Sequence, residues 1–205
     1  MPSAVPSPLI PAGLSYSEFL EWLDEDVRAE WVHGEILIMS HASRPHQRIS
    51  DFLTAVLKLF VEPVGLGEVI SAPFQMRASS ELPGREPDIL FVVQSRLEIV
   101  KDTFVDGAAD IVVEIISPES RTRDTVDKFA EYQRGGVQEY WLIDPENREA
   151  TFYGLSDGTY QCLPQDGNRF RSSVLNGFWL HLPWLWSAPT PSILDVQAAW
   201  ADAED

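Results

Sequence analysis

Residues 110–136 read DIVVEIISPESRTRDTVDKFAEYQRGG. Within this stretch, residues 111–116 form an almost unbroken apolar, β-branched run, which is typical of a strand that a sheet buries on both faces. Glu114 interrupts the run. Burying an isolated charge costs several kcal/mol, so a carboxylate at such a position is neutralised, paired with a cation or bound to a metal. Glu114 is therefore either a site residue or one partner of a buried salt bridge, for which Arg77 and Arg85 are the candidates.

A second carboxylate stands at the start of the strand that we predict upstream, from Pro87 to Val93. Asp88 opens the apolar run ILFVV. An aspartate after a proline also occurs simply as a turn residue or the first residue of a strand, but the presence of Glu114 favours a functional interpretation. Two carboxylates from neighbouring buried strands supply the hard oxygen ligands that a divalent cation such as Mg²⁺ prefers.

The segment after the Glu114 strand predicts a helix. Pro118 ends the strand, Thr122 to Arg134 has helical periodicity, and Gly135-Gly136 ends the helix because glycine readily takes the left-handed conformation there. We expect the inner, apolar stripe of this helix to consist of Val126, Phe129 and Ala130.

Lys128 lies on this predicted helix, 14 residues after Glu114, and could reach back over the end of the strand. Asp124 lies four residues earlier on the same face, and a pair of this kind, worth roughly 0.3–0.5 kcal/mol, would account for Lys128 equally well. Asp88, Glu114 and Lys128 are the residue types that metal-assisted hydrolysis of a phosphodiester needs. The carboxylates and a main-chain carbonyl such as that of Ile115 would hold Mg²⁺ or Mn²⁺, and the ammonium would orient a water and stabilise charge on the phosphate oxygens.

The rest of the chain predicts an α/β fold. We expect a flexible tail over residues 1–13 and a single domain over residues 14–205, because a chain of 205 residues fits one core. The strongest helical pattern, with apolar residues at three- and four-residue steps, covers residues 46–61. The other predicted elements are a capped helix ending near residue 24, a hairpin over 30–40, strands over 68–77 and 138–144, a hairpin around 156–158, an irregular or edge segment over 176–186 and a helix over 191–201. This order predicts a central mixed sheet, flanked by the 46–61 and 122–134 helices.

The charge balance bears on possible partners. The chain has 15 Lys and Arg residues against 32 Asp and Glu, a formal net charge of −17. Affinity for phosphate backbones comes largely from Lys and Arg, so this composition argues against nucleic-acid binding by the whole surface. Scattered solvated charges and a local positive rim are equally consistent with the eight basic residues that flank the site strands, which are Arg44, Arg48, Arg77, Arg85, Arg121, Arg123, Lys128 and Arg134.

The cellular compartment is indicated by the cysteine content and by the absence of an apolar span. Cys162 is the only cysteine, which excludes an intramolecular disulfide and suits a reducing cytoplasm. The sequence has no amino-terminal targeting signal, and its apolar stretches are far shorter than the roughly 20 residues of a spanning helix. We therefore expect a soluble, cytoplasmic protein.

At these site residues the chain resembles the restriction-endonuclease-like PD-(D/E)XK phosphodiesterases. Pro87-Asp88 matches the first half of their motif, and Glu114 matches the acidic position of the second half. More narrowly, the chain resembles the Uma-type family of restriction endonucleases. That similarity covers most of the chain, in the order EWVHGEILIMS, the helix opening at His46, EPDILFVV, DIVVEIISPES, DTVDKFAEYQRGGVQEYWLID and the hairpin after it. Ile116 stands where the general motif has lysine, and the narrower resemblance implies that the lysine has moved to the following helix, where Lys128 stands.

The resemblance also implies two accessory residues. The family tends to have an acidic residue in the first hairpin, matched here by Glu35, and a histidine before the first long helix, matched by His46. The chain departs from the family at Ala29 and His33, where tyrosine and aspartate are usual. Both departures lie outside the expected metal site.

The function that the resemblance implies is a Mg²⁺- or Mn²⁺-dependent DNA endonuclease with a restriction-endonuclease-like fold. We expect a homodimer, because duplex cleavage needs two active sites or two visits. The rival hypothesis is a non-catalytic dimeric binding or regulatory module that keeps the fold. The acidic net charge favours this rival, whereas the presence of all three site residue types favours the enzyme. A small-molecule metal hydrolase has weaker support, because no motif specifies its pocket.

Overall fold

The computed structural model describes residues 10–24 and 27–202. The α-helices are α1 Tyr16–Trp22, α2 Arg44–Val61, α3 Phe129–Gly135, α4 Pro183–Trp186 and α5 Ile193–Ala201. The strands are β1 Ala29–Val32, β2 Glu35–Ile38, β3 Gly67–Ser71, β4 Gln75–Arg77, β5 Ile89–Val93, β6 Phe104–Asp106, β7 Ile111–Ile115, β8 Glu139–Asp144, β9 Glu149–Ser156, β10 Thr159–Cys162, β11 Gln165–Asp166, β12 Arg169–Arg171 and β13 Trp179–His181. The shorter helical segments are the 3-10 helices Glu62–Val64 and Gln94–Ile99 and the π-helix Arg123–Lys128. Residues 1–9 of the predicted tail lie outside the described residues, and the division into a tail and one domain stays a prediction.

The central sheet contains six strands in the order β10-β9-β8-β7-β5-β3. β7 and β8 run parallel, and the other neighbouring pairs run antiparallel. The predicted mixed sheet flanked by helices is therefore confirmed. The connection between β7 and β8 carries the π-helix and α3, because two parallel strands need a crossover rather than a tight turn.

The direction of the side chains on β7 places the site. Successive residues of a strand point to opposite faces of the sheet. Ile111, Val113 and Ile115 belong to the apolar core on the α2 side. Val112 belongs to the core on the opposite side, beneath α3. Glu114 shares the face of Val112, so it points towards the helix that carries Lys128.

α2 is the longest helix, with 18 residues. It begins two residues before the predicted start because the Ser43 hydroxyl accepts the main-chain N–H of His46 and Pro45 fits the first helical turn. Each apolar side chain that is fully buried contributes about 1.5–3 kcal/mol. The buried face of α2 consists of Ile49, Phe52, Leu53, Val56, Leu57 and Val61. No helix in the described part of the chain has the length and apolarity needed to cross a membrane.

The helical segment after β7 differs from the prediction, because its first part is the π-helix and its inner face is polar. Val126 is 57% exposed and Ala130 is exposed, so the predicted apolar stripe is wrong for these two residues, whereas the half-buried Phe129 does pack against the core. The side chains that this segment buries are Asp124, Lys128 and Tyr132. The inner face of a helix is usually apolar, but here it covers Glu114 and must supply a cation and hydrogen-bond donors to it.

Two other predictions change in detail. The strand predicted over residues 68–77 splits into β3 and β4, with Pro73 between them, because proline lacks the N–H that a sheet ladder needs. The segment over residues 176–186 is more regular than predicted. It forms α4 and β13, and β13 pairs with β12 in a small sheet of β11, β12 and β13.

A buried carboxylate joins this small sheet to the central sheet. Glu139 on β8 is fully buried and accepts hydrogen bonds from the hydroxyls of Ser172 and Ser173, from the main-chain N–H of Val174 and from Nε1 of Trp141. These donors satisfy its charge without a cation from the described residues. Glu139 pairs with Ile111, three residues before Glu114 on β7, so we assign it to the fold and not to the site.

Candidate active site

Asp88 and Glu114 come from neighbouring strands, as predicted, and meet at one end of the β5–β7 pair. The antiparallel register pairs Ile89 with Val113, so the preceding Asp88 lies across from Glu114. Oδ2 of Asp88 accepts a hydrogen bond from the main-chain N–H of Ile115 at 2.7 Å, which fixes this carboxylate against β7. Both side chains are largely buried, with 10% of Asp88 and 4% of Glu114 exposed.

Lys128 reaches this pair of carboxylates. Its Nζ lies 2.7 Å from Oε1 of Glu114 and 3.5 Å from Oδ1 of Asp124. The hydroxyl of Tyr132, one helical turn further on, donates to the same Glu114 oxygen at 2.9 Å. The sequence left open whether Lys128 reaches Glu114 or pairs with Asp124. In the structure it contacts both acids, and its contact with Glu114 is the shorter one. Only 1% of the Lys128 side chain is exposed.

Glu30 on β1 is a site neighbour that the sequence interpretation missed. It is fully buried, and its Oε1 lies 2.9 Å from Nζ of Lys128. Its Oε2 accepts a hydrogen bond from Nη1 of Arg85 at 2.9 Å and lies 3.7 Å from Nε of Arg123. Arg85 also makes two hydrogen bonds to Glu131 on α3, so Glu30 ties the first hairpin to the helix that carries Lys128.

The two accessory residues implied by the resemblance lie in different places. His46, in the first turn of α2, has its Nε2 3.2 Å from Oδ2 of Asp88, while its Nδ1 is buried without a hydrogen-bond partner among the described residues. Glu35 is exposed at the start of β2, paired with Val32 beside the hairpin turn, and does not line the site. The structure thus brings His46 to the site and leaves Glu35 outside it.

The charges in this cluster perturb one another. Burial raises the pKa of Glu114 well above its ordinary value, although Lys128 acts in the opposite direction. Burial opposes the charged form of Lys128, but Glu114, Glu30 and Asp124 outweigh it and raise the pKa of Lys128. Burial also acts against the charged form of Glu30, yet Lys128 and Arg85 lower the pKa of Glu30 to about 2. The neighbouring acids therefore favour the ammonium form of Lys128.

A cavity of about 360 Å³ opens onto these residues. Its walls include the segments Met39–Ser43 and Ser117–Ser120, together with Asp88, Glu114 and Lys128. One oxygen of each site carboxylate is engaged by the protein, as described above. The other oxygen of each makes no hydrogen bond to a described residue, so each carboxylate offers the cavity one oxygen ligand.

These residues fit a small divalent cation. Within residues 10–24 and 27–202, no group of three or more His, Cys, Asp or Glu side chains is arranged to hold a metal ion. Mg²⁺ needs no such group, because it is usually bound by one or two carboxylates and keeps several waters. The carboxylates of Asp88, Glu114 and Asp124 are buried close together, and a divalent cation would offset this excess of negative charge.

Comparison with solved structures identifies a similar fold. The chain is similar to a protein described as a "putative nuclease belonging to DUF820" from Anabaena variabilis ATCC 29413, with a TM-score of 0.69 and 19% sequence identity. The similarity covers 84% of this chain and 97% of that chain. At this level of identity the comparison shows the fold alone.

Comparison with protein families covers most of the sequence. No curated protein matches the chain. The model of the Uma2 family, described as "Putative restriction endonuclease", matches residues 16–183. This range contains Asp88, Glu114 and Lys128, and it confirms the resemblance drawn from the sequence motifs. The chain belongs to the Uma2 family.

Proposed function

We propose that this protein is a nuclease that hydrolyses DNA phosphodiester bonds with a divalent metal ion. One observation carries the proposal: the β5–β7 register sets Asp88 beside Glu114, and the Nζ of Lys128 lies 2.7 Å from Glu114. The description of the family and that of the structural neighbour both support a nuclease.

Asp88 and Glu114 are the residues that would hold Mg²⁺ or Mn²⁺, each through the oxygen that faces the cavity. When bound, the metal would polarise the phosphate and lower the pKa of a coordinated water. The protein contributes orientation: the N–H of Ile115 and His46 fix Asp88, and Lys128 and Tyr132 fix Glu114. Side chains held from several directions lose little further entropy when substrate binds.

Lys128 supplies fixed positive charge. An ammonium group has three donors, and here Glu114, Glu30 and Asp124 surround it. The contact with Asp124 is the longest, at 3.5 Å, so Lys128 can exchange this contact for a phosphate oxygen at the least cost. Its charge would then stabilise the negative charge that develops on the phosphate during attack by water.

The test is DNA cleavage by the full chain. Supercoiled plasmid and circular single-stranded DNA are incubated with Mg²⁺ or Mn²⁺ and the wild type, Asp88→Asn or Glu114→Gln. We expect the wild type to cut and both variants to be slower by about 100-fold or more. Glu119→Gln is the matched control, because Glu119 is an exposed acid in the same cavity. A wild type that cuts nothing, or variants that cut as fast as the control, would refute the nuclease.

The rival function is a non-catalytic dimeric binding or regulatory module. The net charge of −17 favours it, and the same cleavage assay separates it from the enzyme.

The homodimer is part of our proposal for duplex substrates, and light scattering of the purified chain tests it. The cytoplasmic location is also part of the proposal and rests on the single cysteine.

A further inference from the structure

Two arginines in the cavity wall have no part in the reaction described above. Arg28 directly precedes β1, and Arg123 is the first residue of the π-helix. Both line the cavity that contains Asp88 and Glu114. Their side chains are 32% and 23% exposed, so they are held by the protein and still reachable from the cavity.

Each arginine has a buried carboxylate as its ion-pair partner, but only Arg28 makes a hydrogen bond to that partner, because Nε of Arg123 is buried without a hydrogen-bond acceptor among the described residues. Nε of Arg28 donates to Oε1 of Glu86 at 2.6 Å, and Nε of Arg123 lies 3.7 Å from Oε2 of Glu30. The two anchors are themselves adjacent, because the main-chain N–H of Glu86 donates to Oε1 of Glu30 at 3.5 Å. The two guanidinium groups therefore belong to one connected network on one wall.

This anchoring leaves the far end of each side chain for a ligand. Among the described residues, the guanidinium of Arg28 makes its one hydrogen bond through Nε, and neither arginine makes a hydrogen bond through its terminal nitrogens. Two terminal N–H groups of a guanidinium match two oxygens of a phosphate, which is why arginine is the preferred residue for planar recognition of phosphate.

We propose that Arg28 and Arg123 bind backbone phosphates of a single DNA strand that enters the cavity. This inference rests on the proposed function, and it narrows the substrate class from DNA in general to single-stranded DNA. One strand needs only one active site, so the inference does not depend on a homodimer.

The burial of the site favours a single strand. The scissile phosphate must reach Asp88 and Glu114, whose side chains are 10% and 4% exposed. The cavity volume of about 360 Å³ lies near the lower end of the range of about 300–1,000 Å³ that small-ligand sites occupy. A flexible single strand can bend to bring one phosphate into such a space, whereas a duplex is stiff and would pay a deformation energy to do the same.

The scarcity of available cations favours the same substrate. Of the described residues that line the cavity, the arginines and lysines are Arg28, Arg123 and Lys128. Arg85 and Arg121 are engaged by acidic side chains elsewhere. A duplex carries one charge per about 1.7 Å of its axis and is usually bound through many phosphate contacts. Two arginines on a chain of net charge −17 suit a short contact with one strand.

The first measurement is the affinity of the full chain for a short fluorescein-labelled oligothymidylate and for a duplex of equal length, by fluorescence anisotropy in EDTA, which prevents metal-dependent cleavage. Two phosphate contacts predict that the logarithm of the association constant for the single strand falls with the logarithm of salt concentration with a slope of about −1.4. We expect weaker binding of the duplex. Equal or tighter duplex binding, or no binding of the single strand, would overturn the proposal.

The second measurement is the same salt slope for Arg28→Gln and Arg123→Gln. Each variant removes one phosphate contact, so we expect each slope to become less steep by about 0.7. Arg121→Gln is the matched control, because it makes the same charge change two residues from Arg123, outside the cavity, and should keep the wild-type slope. Equal slopes for Arg123→Gln and Arg121→Gln contradict the proposal.

Arg28→Gln leaves the buried Glu86 without its cation and could prevent folding. Two lysine variants therefore provide a second test that keeps the positive charge. Arg28→Lys and Arg123→Lys keep the charge but lose the bidentate contact with phosphate. We therefore expect weaker binding with a salt slope near that of the wild type. Unchanged affinity in both would overturn the proposal.

Failure of this inference is distinguishable from failure of the proposed function. Strand binding through the arginines without cleavage refutes only the nuclease, and cleavage that is indifferent to both arginines refutes only the phosphate pair.

Discussion

Lys128→Met is expected to lower the free energy of unfolding by about 3–5 kcal/mol at neutral pH, because it leaves buried carboxylates without their cation. Nζ of Lys128 lies 2.7 Å from Glu114 and 2.9 Å from Glu30, and both acids are buried. Methionine fills a similar volume, so the charge is the main change. We also expect DNA cleavage to fall by about 10²–10³-fold, because the fixed positive charge beside the phosphate is lost.

Urea unfolding followed by tryptophan fluorescence measures the stability effect. Lys58→Met is the matched control, because Lys58 is 44% exposed and lies 3.8 Å from Glu62, so its loss should change the free energy of unfolding by about 0.5 kcal/mol or less. The double variant Lys128→Met/Glu114→Gln should recover part of the lost stability, since it removes one of the two buried carboxylates that Lys128→Met leaves without a cation. An effect of Lys128→Met as small as that of Lys58→Met would show that the buried ion pairs do not hold the site together.

Glu30→Gln is expected to lower the free energy of unfolding by about 3 kcal/mol at pH 7, since it removes the buried partner of Lys128 and Arg85. This effect should depend on pH. The two cations lower the pKa of Glu30 from 4.5 to about 2, so the folded protein keeps Glu30 ionised when the unfolded chain has already bound a proton. The contribution of Glu30 is therefore fully present above pH 4.5 and is lost as the pH falls towards 2.

The measurement is the difference in free energy of unfolding between the wild type and Glu30→Gln at a series of pH values below 7. The difference should stay constant down to about pH 5 and narrow below pH 4.5. Glu35→Gln is the control from the same hairpin, because Glu35 is exposed, and it should leave the stability almost unchanged at each pH. A difference for Glu30→Gln that is independent of pH would mean that its charge is not what Lys128 and Arg85 hold.

The fold and the centre of the site could be predicted because each left a local signal. Glu114 stands out as a charge in a buried apolar run, and Asp88 as a carboxylate at the start of another. Apolar strands that follow one another along the chain commonly pair in a sheet, so the sequence also predicts that Asp88 and Glu114 lie close together. The face of α2 was visible as helical periodicity, and the structure confirms it.

The rest of the site depends on pairing between distant parts of the chain. Glu30 carries the same signal as Glu114, an acid between apolar neighbours, but β1 is only four residues long and reads as an ordinary alternating hairpin strand. The acidic residue that the family resemblance implies in this hairpin is Glu35, which is exposed. Val126 is exposed for a related reason: periodicity predicts an apolar inner face for a helix, and the inner face here is largely polar.

Acidic partners neutralise part of the positive rim that the sequence allows, and no local sequence pattern encodes this pairing. Arg85 is buried between Glu30 and Glu131, and Arg121 contacts Asp144. Counting cations near the site therefore overstates the charge available to DNA. Which arginines remain available is decided by their partners in three dimensions.

The assignment of function depends most on a divalent cation at Asp88 and Glu114, and isothermal titration with Mn²⁺ tests it directly. We predict that the wild type binds Mn²⁺, that Asp88→Asn and Glu114→Gln each weaken binding by about 10-fold or more, and that Glu119→Gln binds like the wild type. Binding that Glu114→Gln leaves unchanged, or no binding by the wild type, would contradict the account.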